Sequence, residues 1–125
     1  MKILVLFSTL FILFSCKRDA PASTPTPTIP LVVTGRVTSV ASDSAFTVSH
    51  VSSDGGDAVT ARGICWSTVA SPDTSVSHTV NGTGTGVFTS KITGLTPSTT
   101  YYFRAYAKNS VGIAYGADVS FMTMP

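Results

Sequence analysis

A chain of 125 residues has room for one domain, and its formal charge of +2 comes from eight basic and six acidic side chains. Lys2, Lys17 and Arg18 lie ahead of Leu31, and from there onward five basic residues meet five aspartates. That balance removes the electrostatic case for a nucleic acid or an anionic membrane surface as partner. There is no Glu and no Gln, and the body is dominated by Thr, Ser, Val, Gly and aromatics. Strong helix formers are scarce and β-branched residues suit a pleated, half-buried surface, so the expected class is all-β.

The first element is Met1-Lys2 followed by an apolar run from Ile3 to Phe14, interrupted only by Ser8 and Thr9. As a helix it would span about 18 Å, short of a hydrocarbon core of about 30 Å, so it reads as a signal-peptide core rather than a membrane span. Leu13-Phe14-Ser15-Cys16 resembles a bacterial lipobox. The resemblance implies cleavage after Ser15, with residues 1–15 as signal peptide, and acylation of Cys16. Phe14 is bulkier than the usual occupant of its position. Several acyl chains, palmitate among them, would anchor the protein stably where one would not. Residues 16–30 then form a Pro/Thr-rich tether: Lys17 to Pro30 hold four prolines among small polar residues. Such a stretch favours polyproline II and would reach up to about 40 Å.

Leu31 to Val40 reads as the first strand of a domain spanning residues 31–125. Ser44 to Val51 alternates cleanly, with Phe46, Val48 and His50 on one face and Ala45, Thr47, Ser49 and Val51 on the other. Asp54-Gly55-Gly56-Asp57 is a turn into a third strand, Ala58 to Ser67. Ser77 to Val80 is a short edge candidate, Asn81 to Gly86 a glycine-rich turn, and Val87 to Ile92 a further strand. Tyr101 to Lys108 and Ala114 to Thr123 complete the set. Short strands with turn signals at this spacing argue for a sandwich or barrel.

Leu95-Thr96-Pro97-Ser98-Thr99-Thr100-Tyr101-Tyr102-Phe103-Arg104-Ala105-Tyr106-Ala107-Lys108-Asn109, followed by Gly112, resembles the E–F corner and F strand of fibronectin type III domains. The resemblance implies a two-sheet immunoglobulin-like sandwich of about seven strands. Leu95 would plug the corner, Pro97 and Thr99 would shape it, and Tyr101 would be its tyrosine corner. By period two, Phe103, Ala105 and Ala107 point inward, leaving Tyr102, Arg104, Tyr106 and Lys108 outside. Arg62-Gly63-Ile64-Cys65-Trp66-Ser67 and Ala114-Tyr115-Gly116 also resemble a bacterial subgroup of these repeats, common in cell-surface lipoproteins and carbohydrate-processing systems. The chain ends just after its last strand, so a single monomeric domain is expected.

Chemistry-bearing residues are few. Cys65 and His50 could form a nucleophile and base, but a mid-strand cysteine between Ile64 and Trp66 reads as a small buried hydrophobe. His50, Cys65 and His78 do not meet a zinc spacing, and Asp54 and Asp57 lack the twelve-residue calcium-loop pattern. No metal or other cofactor is expected. Asp43-Ser44-Ala45 resembles a short bacterial O-glycosylation acceptor, which would modify Ser44; an ordinary loop-to-strand entry explains it equally well. The outward row Tyr102, Arg104 and Tyr106, joined by Tyr115, is the candidate contact face, to be weighed against ordinary cross-strand pairing.

The expected protein is therefore an exported, non-catalytic lipoprotein of the cell envelope, on the outer membrane, facing either the periplasm or the exterior. Its domain would serve as spacer, adhesion or protein-recruitment module. The alternative is an accessory glycan-binding lipoprotein of a polysaccharide-uptake system.

Overall fold

The computed structural model describes residues 25–125, so the expected signal peptide and Cys16 lie outside the described residues. Seven strands follow in order: β1 Leu31–Val40, β2 Ala45–Ser53, β3 Ala61–Ser67, β4 Gly86–Ile92, β5 Thr100–Lys108, β6 Ile113–Tyr115 and β7 Val119–Met122. They form two antiparallel sheets. One has the order β1-β2-β4, and the other runs β3-β5-β6 with β7 also paired to β5.

Alternation along the strands explains why the sheets face each other. On β2, Ala45, Thr47, Ser49 and Val51 are buried, while Phe46, Val48 and His50 point outward. On β5 the inward set is Tyr101, Phe103, Ala105 and Ala107, with the last three fully buried. Large side chains from β3 and β5 meet small ones from β2, so Ile64, Phe103 and Trp66 fill space that Ala45, Thr47 and Ser49 leave. Phe121 of β7 stacks on Tyr101 and meets Phe103 edge-on, both at 6.0 Å between ring centroids.

One polar atom in this core is orphaned. The Thr47 hydroxyl is completely buried and has no hydrogen-bond partner among the described residues. Thr47→Val keeps the shape and removes the unpaired group, so it should raise stability by about 1 kcal/mol, read as a shift of the urea midpoint at unchanged slope. A loss of stability would mean that the hydroxyl is bonded in solution.

Hydroxyl and amide side chains close both open flanks of the sandwich. On one flank, β1 is bulged between Val33 and Arg36, and Thr34 there accepts a hydrogen bond from the Ala105 amide at 3.0 Å. This contact explains a departure from the sequence reading. Ala114 to Thr123 was expected as one strand, yet it splits into β6 and β7. A Cβ on Gly116 would lie 2.3 Å from the Thr34 hydroxyl, so the chain can pass Thr34 only as glycine, and the ladder pauses there. On the other flank, the Thr79 hydroxyl donates to the Asn81 carboxamide at 2.6 Å, Ser90 donates to the same oxygen, and Asn81 returns a bond to the Thr89 carbonyl at 3.3 Å. Arg62 reinforces this seam through bonds to the carbonyls of Asn81 and Thr85, with its guanidinium 5.2 Å from the Phe88 ring.

The end of the expected tether is docked on the sandwich. The Thr28 amide donates to Gly55 O at 2.8 Å, and Pro30 is fully buried. Gly55 has φ +74°, and a Cβ there would sit 2.2 Å from Thr28 O, so only glycine permits the approach. Asn109, 2% exposed, completes the junction. Its amide nitrogen donates to Thr28 O at 2.7 Å and Asp54 O at 2.9 Å, while its oxygen accepts from the Val111 and Gly112 amides.

Candidate functional site

The outer face of the β3-β5-β6 sheet carries the candidate contact residues. Period two places Cys65 and Gly63 of β3 opposite Arg104 and Tyr106 of β5, all on this face. The chain after β3 then folds back across it. Ser77 O accepts from the Trp66 amide, the Thr79 amide donates to Ile64 O, and the Asn81 amide donates to Arg62 O. The expected edge element at Ser77 to Val80 thus follows β3, with one bridge pair at Cys65 and His78 rather than a continuous strand. Gly63 makes the close approach possible, because a Cβ there would fall 2.1 Å from Thr79 O. Further along, Asp118 receives bonds from the Ser71 amide at 2.8 Å and its hydroxyl, and the Tyr115 hydroxyl accepts from the Thr74 amide.

This cover changes the reading of the row Tyr102, Arg104 and Tyr106. Tyr106, expected outside, is 3% exposed: its hydroxyl donates to Thr79 O at 2.6 Å, and His78 meets its ring edge-on at 6.0 Å. Burial raises its phenol pKa. Arg104 is half-buried; its Nε donates to Pro72 O at 2.6 Å and its guanidinium lies 4.2 Å from the Tyr115 ring. Tyr102 is half-buried between Ser67 and Ser120. The row is mostly engaged by the protein itself.

Cys65 is fully buried, with its sulfur 3.4 Å from Pro72 O. Burial pushes its thiol pKa up to about 11, which keeps it protonated and unreactive at neutral pH. His50 lies on β2 of the other sheet, so the two are not brought together. Among the described residues no group of three or more His, Cys, Asp or Glu side chains could hold a metal ion. In the turn after β2, the Asp54 carboxylate accepts from the Gly56 amide at 2.8 Å. Asp57 accepts from the Ser110 hydroxyl, which lowers its pKa.

At the corner before β5, the Tyr101 hydroxyl accepts from the Thr96 amide at 2.9 Å, and Tyr101 and Leu95 are both buried. The Thr99 hydroxyl donates to Pro97 O at 2.9 Å, while Ser98 adopts φ +52°. Thr123, which the sequence reading passed over, clamps the same corner by donating to Thr96 O at 2.6 Å and accepting from the Thr99 amide. Thr34 was missed likewise, whereas Asn109 stands in the fibronectin-like motif and only its contacts were not foreseen. Ser44 is half-buried in the β1–β2 turn, where its carbonyl accepts from the Ala41 amide.

A shallow groove of about 270 Å³ stays open on this face, lined by Ala61, Thr74, His78, Val80, Tyr106, Lys108 and Ile113.

No family model and no curated protein matches the sequence. Solved structures do. The sixth fibronectin type III domain of human fibronectin type III domain containing protein 3 aligns with a TM-score of 0.57 at 27% identity, covering 83% of this chain and 92% of that one. The sensor domain of the anti-sigma factor RsgI4 from Pseudobacteroides cellulosolvens aligns with a TM-score of 0.57 at 15% identity, covering 78% and 96%. Chicken CNTN1 domains FN1–FN3 align at 0.52 and 18% identity, covering 90% of this chain and 35% of that one. The fold is that of a fibronectin type III-like domain.

Proposed function

We propose that the protein is a non-catalytic cell-envelope module, anchored by lipid on Cys16, in which the fibronectin type III-like domain holds a protein contact away from the membrane. The observation that carries this reading is how the reactive side chains are used. Cys65 is buried with a raised pKa, and Arg104 and Tyr106 are bound to backbone carbonyls. These groups hold loops to the sandwich, as suits a rigid spacer. Glycan binding draws less support. Sugar recognition by stacking needs an open aromatic face, whereas Tyr106 is buried and the Tyr115 ring already faces the Arg104 guanidinium.

Anchoring is tested by Cys16→Ala. The variant should leave the membrane fraction, and mass spectrometry should find acyl groups on the parent protein alone. A variant that still sediments with membranes, from a parent without acylation, would overturn the anchor.

A further inference from the structure

We propose that the groove beside Tyr106 binds the C-terminal end of a partner polypeptide, taking an aliphatic last side chain together with its free carboxylate. This deepens the protein-contact part of the function proposed above and does not depend on the anchor.

The groove exists because β3 is short of side chain where β5 is rich in it. Ala61 and Gly63 lie opposite Lys108 and Tyr106, and Tyr106 leans over Gly63 to reach Thr79 O. The space left beside it is walled by Val80 and Ile113. Val80 is 66% exposed, a large aliphatic side chain at the rim that no described residue covers.

The charge around the groove is one-sided. Its lining holds one cationic side chain, Lys108, together with the His78 ring, and no carboxylate. The aspartates nearest in sequence are engaged elsewhere: Asp57 on Ser110, Asp73 on Ser75 and Asp118 on Ser71. His78 Nδ1 donates to the Val76 carbonyl at 2.9 Å, which fixes the ring against the groove. A carboxylate beside an apolar body complements this arrangement, with Lys108 as its charged donor.

The backbone adds a reason to expect a polypeptide. Bonds to β3 come from Ser77, Thr79 and Asn81, so the peptide groups of His78 and Val80 face the opposite edge. They have no backbone partner among the described residues. An extended chain end can pair along that edge while its last side chain enters the groove. An acidic sugar fits less well, since the Tyr106 ring offers it no open face.

The test is an NMR titration of the nitrogen-15-labelled full chain in detergent micelles with N-acetyl-leucine, N-acetyl-leucinamide and glucuronate. N-acetyl-leucine should give saturable shifts at His78, Val80, Lys108 and Ile113. The amide should bind at least about ten-fold more weakly, the size of one charge-assisted hydrogen bond. Lys108→Ala should erase that difference, and Val80→Asp should abolish binding. Both residues are exposed, so both variants should keep the parent spectrum elsewhere. Equal binding of acid and amide, no saturable shift with the acid, or glucuronate binding there as tightly as N-acetyl-leucine would each overturn the proposal. The titration needs no acyl group on Cys16, so its failure leaves the anchor standing, and failure of the anchor leaves its result standing.

Discussion

Phe103→Ala should destabilise the domain by about 3–5 kcal/mol, the range for removing a fully buried aromatic. Phe103 has no exposed surface, sits between Trp66 of β3 and Val119 of β7, and meets the Phe121 ring edge-on. Both neighbouring strands therefore lose packing at once. Residues opposite it on β2 are small and fixed by the ladder, so little can move in to refill the space. Urea or thermal unfolding of the variant measures the loss. A change below about 1 kcal/mol, nearer to surface substitutions, would mean that the two sheets do not close on Phe103 as described.

Asn109→Ala is expected to cost about 3 kcal/mol or more, for a different reason. One side chain satisfies two carbonyls, Thr28 O and Asp54 O, and two amides, Val111 and Gly112. Buried groups left unpaired cost about 1–3 kcal/mol each, and partial access of water to the turn keeps the sum below the full total. Asn109→Asp separates the roles, since its oxygen can still accept from the turn amides while the two bonds to carbonyls are lost. Hydrogen exchange should then show the Thr28 amide released in both variants, but the turn at Val111 and Gly112 loosened mainly in the alanine variant. Unchanged protection of Thr28 in both would contradict the docking of this segment.

How far the sequence went follows from the range of each signal. Strand positions were legible because alternation is local. The two faces of β2 were separated correctly, although period two cannot say which face turns inward. The structure buries the small, polar-looking set because the opposing sheet supplies the bulk. The burial of Tyr106 was not legible. Its alternation identifies the outer face, but what covers that face is a segment 27 residues earlier in the chain. The break between β6 and β7 depends on Thr34, 71 residues from Ala105, and the docking of Thr28 depends on Asn109, 81 residues away. Such contacts leave a trace only as isolated small or amide residues, here Gly116, Gly55 and Asn109. The E–F corner was more visible because its partners, Thr96 and Tyr101, are five residues apart.

The docked segment Thr28 to Pro30 also shapes how the domain would respond to a pull. Tension applied at residue 25 is carried first by the bond from Thr28 to Gly55, the bond from Asn109 to Thr28, and the seat of Pro30. The paired backbone of β1 and β2 begins only at Leu31 and Ser53, so it takes load after those contacts give way. Their release would pay out three residues, about 10 Å of slack, while the sandwich stays folded. The junction would then act as a mechanical fuse that yields, and can re-form, before the domain itself is strained.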